Sequence, residues 1–384
     1  MIPYGHQSIS QDEINAVVEI LQSDWLTQGP TISKFEQAIA GYVGAKYAVS
    51  VCNATAALHL ACRALNLGAN DILWTSPNSF LASANCALYC GASVDFVDID
   101  PMTLNMCAIA LEKKLKEAAL LKKLPKIIMP IHFAGQSCDM KKIGELAKKY
   151  GCFVIEDASH AIGAKYDSRK VGACVHSDIT VFSFHPVKII TTGEGGMAVT
   201  NQLALLKKMQ MLRTHGMTRE YNEMSCLADG AWYYQQIDLG YNYRLTDIQA
   251  ALGIVQLKRI DQFIDRRRHL ANRYHQLLAD LSIQLPLRHK LEESSWHLYV
   301  IQVEKNERKK IFDHLRKKNI GVNVHYIPIH TQPYYQALGF KIGDFPNSEN
   351  YYSRAISLPL YYDLSDEMQD VVIACLREVI AKRQ

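Results

Sequence analysis

Between residues 47 and 200, short and largely apolar runs alternate with longer stretches whose apolar positions recur every three or four residues. The short runs occupy 47–51, 72–75, 94–97, 126–130, 153–156, 179–184 and 197–200. Runs of this length predict strands buried on both faces. The stretches between them, 54–65, 80–88, 111–121 and 140–150, predict helices, the last stopped by Gly151. Repeated strand–helix units of this size predict an α/β fold built on a mostly parallel, seven-stranded sheet with helices on both faces. Ligands of such sheets bind beyond the carboxyl ends of the strands.

The flanks read differently. Ser10-Gln-Asp-Glu13 is a capping-box signal, and Ile14, Val17, Val18 and Leu21 then share one helix face. A loop follows at 27–30. Beyond about residue 250 the strand–helix alternation gives way to one long basic helix over 248–281. A strand at 296–303, a helix at 308–318 and a strand at 322–326 come after it. The chain therefore divides into a large domain, 1–250, and a smaller C-terminal α/β domain, 251–384.

Composition narrows the function. The chain has 384 residues, 48% of them hydrophobic, enough for a sizeable core. The 42 basic residues exceed the 38 acidic ones by only four. The basic runs at 113–123 and 266–268 alternate with apolar residues at helical spacing, so they predict solvated helix faces, not a nucleic-acid surface. Ten cysteines stand in apolar contexts without a CxxC pair. They predict reduced thiols, mostly in the core, and a cytoplasmic protein. No basic-then-apolar leader and no apolar stretch of membrane-spanning length is visible, which predicts no membrane association.

Four features carry candidate chemistry. Asp157 ends the run 153–156, where a carboxylate can hold a cationic nitrogen or merely cap the next helix. Lys188 follows the run 179–184 between Val187 and Ile189. A shielded lysine has a lowered pKa and attacks aldehydes, although most lysines in such loops are surface residues. Gly193-Glu-Gly-Gly196 allows a close backbone approach or a plain turn. Asn53-Ala-Thr55 opens a helix after a buried strand, an anion site or a simple cap. Together they share one explanation. Pyridoxal phosphate needs a phosphate cradle, an acid on its ring nitrogen and a lysine for its Schiff base.

With these motifs in place, the chain resembles the DegT/DnrJ/EryC1/StrS family of fold-type I aminotransferases acting on nucleotide sugars. The resemblance runs through Leu26-Thr-Gln-Gly29, Asn53 to His59, Glu156-Asp-Ala-Ser-His160, Ser183-Phe-His-Pro-Val-Lys188, Thr191 to Gly196 and Gly240 to Asp247. It continues in Val324-His-Tyr-Ile-Pro328 and Ile356-Ser-Leu-Pro359. It implies pyridoxal 5'-phosphate bound at Lys188, which would also shuttle the proton. Asp157 would pair with the pyridine nitrogen, His160 would lie near the ring hydroxyl, and Phe80 would stack on the ring. Ala54, Thr55 and Ser183 would bind the phosphate. Asn242 would reach it from a neighbouring subunit, making a homodimer with shared sites. Tyr4, Gln28, His325 and Tyr326 would meet the substrate.

A branch of the family carries histidine at the lysine position and dehydrates sugars; Lys188 places this chain with the transaminases. Ala54 stands where many members have glycine, but its N–H still serves a cradle. Within the family the motifs resemble most the C4 aminotransferases of UDP-linked 4-keto-6-deoxy sugars in pseudaminic-acid biosynthesis, with glutamate as donor. The alternatives are the same chemistry on another nucleotide keto sugar, such as a dTDP sugar, a pyridoxal-phosphate sensor without turnover, and a plain nucleotide-binding α/β protein without pyridoxal phosphate, which offers no role for Lys188.

Overall fold

The computed structural model describes residues 1–287 and 292–381. Seven strands form the central sheet: β1 (Tyr47–Val51), β2 (Ile72–Thr75), β3 (Ser93–Phe96), β4 (Ile127–Met129), β5 (Phe153–Asp157), β6 (Ile179–Ser183) and β7 (Gly196–Thr200). Their order is β1-β7-β6-β5-β4-β2-β3. Parallel pairing joins β3 to β2, β2 to β4, β4 to β5 and β5 to β6. Only β7 is reversed, antiparallel to both β1 and β6. Strands β6 and β7 are buried along their whole length, which accounts for their unbroken apolar runs.

Helices α1 (Gln11–Leu21), α2 (Pro30–Val43), α3 (Ala54–Ala64), α4 (Ala82–Tyr89), α5 (Ala108–Leu120), α6 (Met140–Tyr150) and α7 (Leu203–Arg213) surround the sheet. Gly151 ends α6 with φ of 72°, the left-handed conformation a glycine adopts cheaply. One apolar cluster lies between the sheet and helices α3, α4 and α7. Another joins α2 to Phe182, Phe184, Ile189 and Ile190 on the opposite side.

The flanks depart from the pattern read in the sequence at several points. The capping box of α1 is present, but the residue α1 buries is Glu13. Its carboxylate accepts from Gln256 Nε2 (2.8 Å) and Arg259 Nη1 (2.9 Å). Ile14 and Leu21 stay 48% and 55% exposed, and Val18 is exposed beside them. The stretch 248–281 is two helices, α8 (Asp247–Lys258) and α9 (Ile260–Leu277), meeting at Arg259. The two pack differently: α8 lies on α1 and α2, while the second half of α9 enters a different core. Arg267 is buried, not solvated: its guanidinium donates to the carbonyls of Trp296, His297 and Leu360.

The C-terminal part pairs β8 (Tyr299–Gln302) with β9 (Ala355–Leu358) in antiparallel register. Helices α10 (Arg308–Lys317), α11 (Pro346–Arg354) and α12 (Asp366–Ala381) belong to it. Its core gathers Leu270, Tyr274, Tyr299, Ile311, Ile356 and Leu376. The expected strand at 322–326 is absent. One bridge, Asn323 to Ser357, ties the segment to β9, after which the chain leaves the sheet. All ten cysteines are free; Cys62, Cys86, Cys138 and Cys174 are buried, whereas Cys226 is exposed. No described helix is long and apolar enough to cross a membrane.

Candidate active site

The reversed strand β7 begins where β1 and β6 end. Gly196 pairs with Val51 on one side and with Ser183 on the other. A Cβ there would sit 2.5 Å from the Asn53 carbonyl and 2.6 Å from Ala54 N, so only glycine lets the three chain segments close up. Asn53 caps α3 by accepting from Ala56 N–H at 2.9 Å. The cap reading of Asn53 thus holds, and Ala54 and Thr55, at the first turn of α3, line the cleft. A helix start there concentrates backbone N–H groups and the positive end of the helix dipole.

The loop after β6 is tied to itself at several points. Thr191 Oγ1 donates to the Phe184 carbonyl (2.9 Å) and accepts from Gly193 N–H (2.9 Å). Phe184 N–H donates to Gly195 (2.9 Å), and Thr192 N–H donates to Phe184 (3.0 Å). Lys188 rides on this loop with its backbone N–H on the His185 carbonyl (2.8 Å). Burial of the amine pushes its pKa down to about 8, and the nearby Asp157 carboxylate only partly opposes that shift.

Asp157 closes β5 and is 5% exposed. Oδ2 accepts from Ser83 Oγ of α4 (2.7 Å). Oδ1 accepts from Ser159 N–H (3.1 Å) and Ser159 Oγ (2.6 Å). Three donors fix the carboxylate at the sheet's carboxyl edge. Phe80, 60% exposed, stands at the same cleft.

The opposite wall comes from the C-terminal part and the N-terminus. Tyr4, His297, Asn323, His325 and Tyr326 join Lys188, Asp157, His160 and Ser183 around a cavity of about 560 Å³. Ring centroids of His160 and His297 are 4.3 Å apart. His325 Nδ1 lies 2.7 Å from Ser357 Oγ, and Tyr326 Oη lies 3.0 Å from His160 Nε2. Burial lowers the pKa of all three histidines, and Lys188 adds to the shift. His325 falls to about 4, and His160 and His297 fall well below the usual value. These three imidazoles are therefore uncharged at neutral pH. Burial raises the phenol of Tyr4, and burial with Asp157 raises that of Tyr326.

Ten of the twelve residues singled out from the sequence line this one cleft. Gln28 does not: it borders a separate cavity of about 220 Å³ with Arg213, Thr214 and Arg244. Asn242 does not either; it is exposed and bridged to Thr214. Sequence reasoning missed Ser83, Ser159, His297 and Asn323. Ser159 stood inside the Asp157–His160 motif, but nothing in spacing marked the other three.

The DegT/DnrJ/EryC1/StrS aminotransferase family model matches residues 7–377. The chain belongs to that family. It is 41% identical over 387 aligned positions to the spore coat polysaccharide biosynthesis protein SpsC of Bacillus subtilis, covering 99% of this chain and 97% of that one. It is 39% identical over 371 positions to the UDP-4-amino-4,6-dideoxy-N-acetyl-beta-L-altrosamine transaminase of Campylobacter jejuni, covering 95% and 94%. Among solved structures it is similar to the sugar aminotransferase Spr1654 of Streptococcus pneumoniae in its PMP form, with a TM-score of 0.92, 32% identity and full coverage of both chains. Helicobacter pylori PseC, an aminotransferase of pseudaminic-acid biosynthesis, gives a TM-score of 0.90 at 32% identity, covering 99% of each. The fold is that of fold-type I pyridoxal-phosphate enzymes, and the chain is a pyridoxal-phosphate-dependent sugar aminotransferase. The cleft fits that cofactor: a glycine-closed helix start, a thrice-held carboxylate and a depressed lysine face one another.

Proposed function

We propose that the chain transfers an amino group from L-glutamate to C4 of a UDP-linked 4-keto-6-deoxy-N-acetylhexosamine of the pseudaminic-acid type. The observation that carries this reading is the 39% identity, over nearly the whole chain, to the Campylobacter jejuni transaminase. When bound, pyridoxal phosphate supplies an electron sink that makes the proton beside an amine labile. Lys188 would hold the cofactor and, once freed, move that proton with its amine. Asp157, oriented by Ser83 and Ser159, would keep the ring nitrogen charged. Ala54, Thr55 and Ser183 would take the phosphate, Phe80 would cover the ring, and His160 would stand beside its hydroxyl. Tyr4, His325 and Tyr326 would meet the sugar nucleotide.

The functional unit in this reading is a cytoplasmic homodimer of two-domain subunits dividing near residue 250. Gln28 and Asn242, which lie outside the cleft of their own chain, would serve the cleft of the other. The exposed apolar row of Ile14, Val18 and Leu21 supports a covered face.

A visible spectrum tests the proposal. The purified protein should be yellow, bleach with glutamate, and recover its colour with UDP-4-keto-6-deoxy-N-acetylaltrosamine. Bleaching restored only by a different nucleotide keto sugar would replace the sugar and keep the chemistry. A band unchanged by Lys188→Ala would overturn the assignment of the lysine.

A further inference from the structure

Ala134 sits in the turn Phe133–Gly135 with φ of 57°, and its N–H donates to His160 Nδ1 at 3.3 Å. A backbone N–H can only donate, so Nδ1 keeps its lone pair. Burial beside Lys188 and His325 keeps the ring neutral. A neutral imidazole with a bare Nδ1 carries its proton on Nε2. That nitrogen is 3.0 Å from Tyr326 Oη, so His160 donates and the phenol accepts. The Tyr326 proton is thereby barred from His160. Among the described residues no other hydrogen bond engages this hydroxyl, and Tyr326 lines the cleft with Lys188 and Asp157. Ser295 Oγ holds the His160 carbonyl at 3.0 Å, and Ser295 N–H holds Gly135 at 3.0 Å, so the turn and the histidine are fastened to the same segment.

We propose that Tyr326 is an obligate hydrogen-bond donor to an acceptor oxygen of the ligand in the cleft, its proton aimed there by the His160 tautomer that the Ala134 amide fixes. This rests on the reading of the cleft as the cofactor and substrate site. The acceptor is an oxygen on the cofactor ring or one on the substrate.

Three variants and one spectrum test it. Glutamine at 160 can accept from Ala134 and still donate to Tyr326, whereas glutamate at 160 accepts the phenol's proton and turns it away from the cleft. Tyr326→Phe should therefore weaken one ligand by about 10–100-fold against wild type, and His160→Glu should weaken the same ligand by about 10–100-fold against His160→Gln. Loss in the pyridoxal-phosphate Kd of the apo protein, read by fluorescence quenching, places the acceptor on the cofactor. Loss confined to the KM for glutamate or keto sugar places it on the substrate. No change in any of the three constants for Tyr326→Phe overturns the proposal, as does a His160→Glu variant that behaves like His160→Gln. If Tyr326→Phe does not fold, the Glu and Gln pair decides alone. In the apo protein labelled with ¹⁵N-histidine, the His160 signal (assigned by its loss in His160→Gln) should show the Nε2–H tautomer. An Nδ1–H tautomer sinks the idea, and this readout stands even if the protein never turns yellow.

Discussion

Lys188 gives up its proton more readily than an ordinary lysine because its amine is withdrawn from water while Asp157 offers only partial compensation. The free amine dominates above pH 8 and the ammonium below it. The rate at which apo protein captures pyridoxal phosphate should therefore fall about tenfold per pH unit below about 8 and level off above it. Stopped-flow absorbance checks this. The neutral histidines give a second pH signature. Their folded pKa values lie below the ordinary one, so the unfolded chain binds protons first as pH falls. Stability should thus decline below about pH 6.5, each histidine adding up to about 1.4 kcal/mol per pH unit. Urea titrations at pH 7 and pH 5 should show the decline, and a variant His297→Asn should flatten it. Ser83→Ala removes a donor to a buried carboxylate and should cost about 2 kcal/mol in the same assay.

At the scale of elements, Gly196 tests the cradle. Gly196→Ala drives a methyl into the Asn53–Ala54 backbone, which side-chain motion cannot relieve. It should cost roughly 3 kcal/mol of stability and release the cofactor on gel filtration. Glu13 tests the anchoring of α1. Burial favours its neutral form, but bonds from Ser10, Arg259 and Gln256 outweigh that and hold its carboxyl at about 2. The stabilisation is present above the ordinary value of 4.5 and is lost as pH falls toward 2. Glu13→Gln should lower stability at pH 7 by about 2 kcal/mol and make the acid limb shallower.

These elements differ in how plainly the sequence announces them. The central strands were legible because a strand covered on both faces has no choice but continuous apolar residues. The break at Arg259 was not, since no glycine or proline marks it and both halves keep helical periodicity; only the two separate cores distinguish the halves. Arg267 reads as a solvated charge because its partners are carbonyls, which leave no trace in side-chain patterning. The stretch 322–326 has strand-like composition, but it departs from β9 to deliver His325 and Tyr326 to the cleft. Asp157 and Ser183 were found because they end strands and Lys188 because it follows one, whereas Ser83 lies inside α4 and His297 in the bend before β8, where packing explains them equally well.

For the whole molecule, the exposed row on α1 and the outlying positions of Gln28 and Asn242 make assembly the decisive question. Sedimentation should give twice the 43.3 kDa chain mass. Mixing unfolded Lys188→Ala and Asn242→Asp subunits, each inactive, and refolding them together should restore about one quarter of wild-type activity, because each hybrid dimer carries one intact site. No recovery would mean that each chain builds its site alone.

The reversed strand β7 has a consequence for endurance. Its first residue is clasped between the ends of β1 and β6, and those ends lead directly to the helix start and to the lysine loop. A ligand anchored to both would act as a keystone across the one place where the sheet changes direction. Each hundredfold excess of cofactor over its dissociation constant would then add about 2.7 kcal/mol to the resistance of the fold. In a cell starved of vitamin B6, such a protein would be lost to proteolysis before it was merely idle.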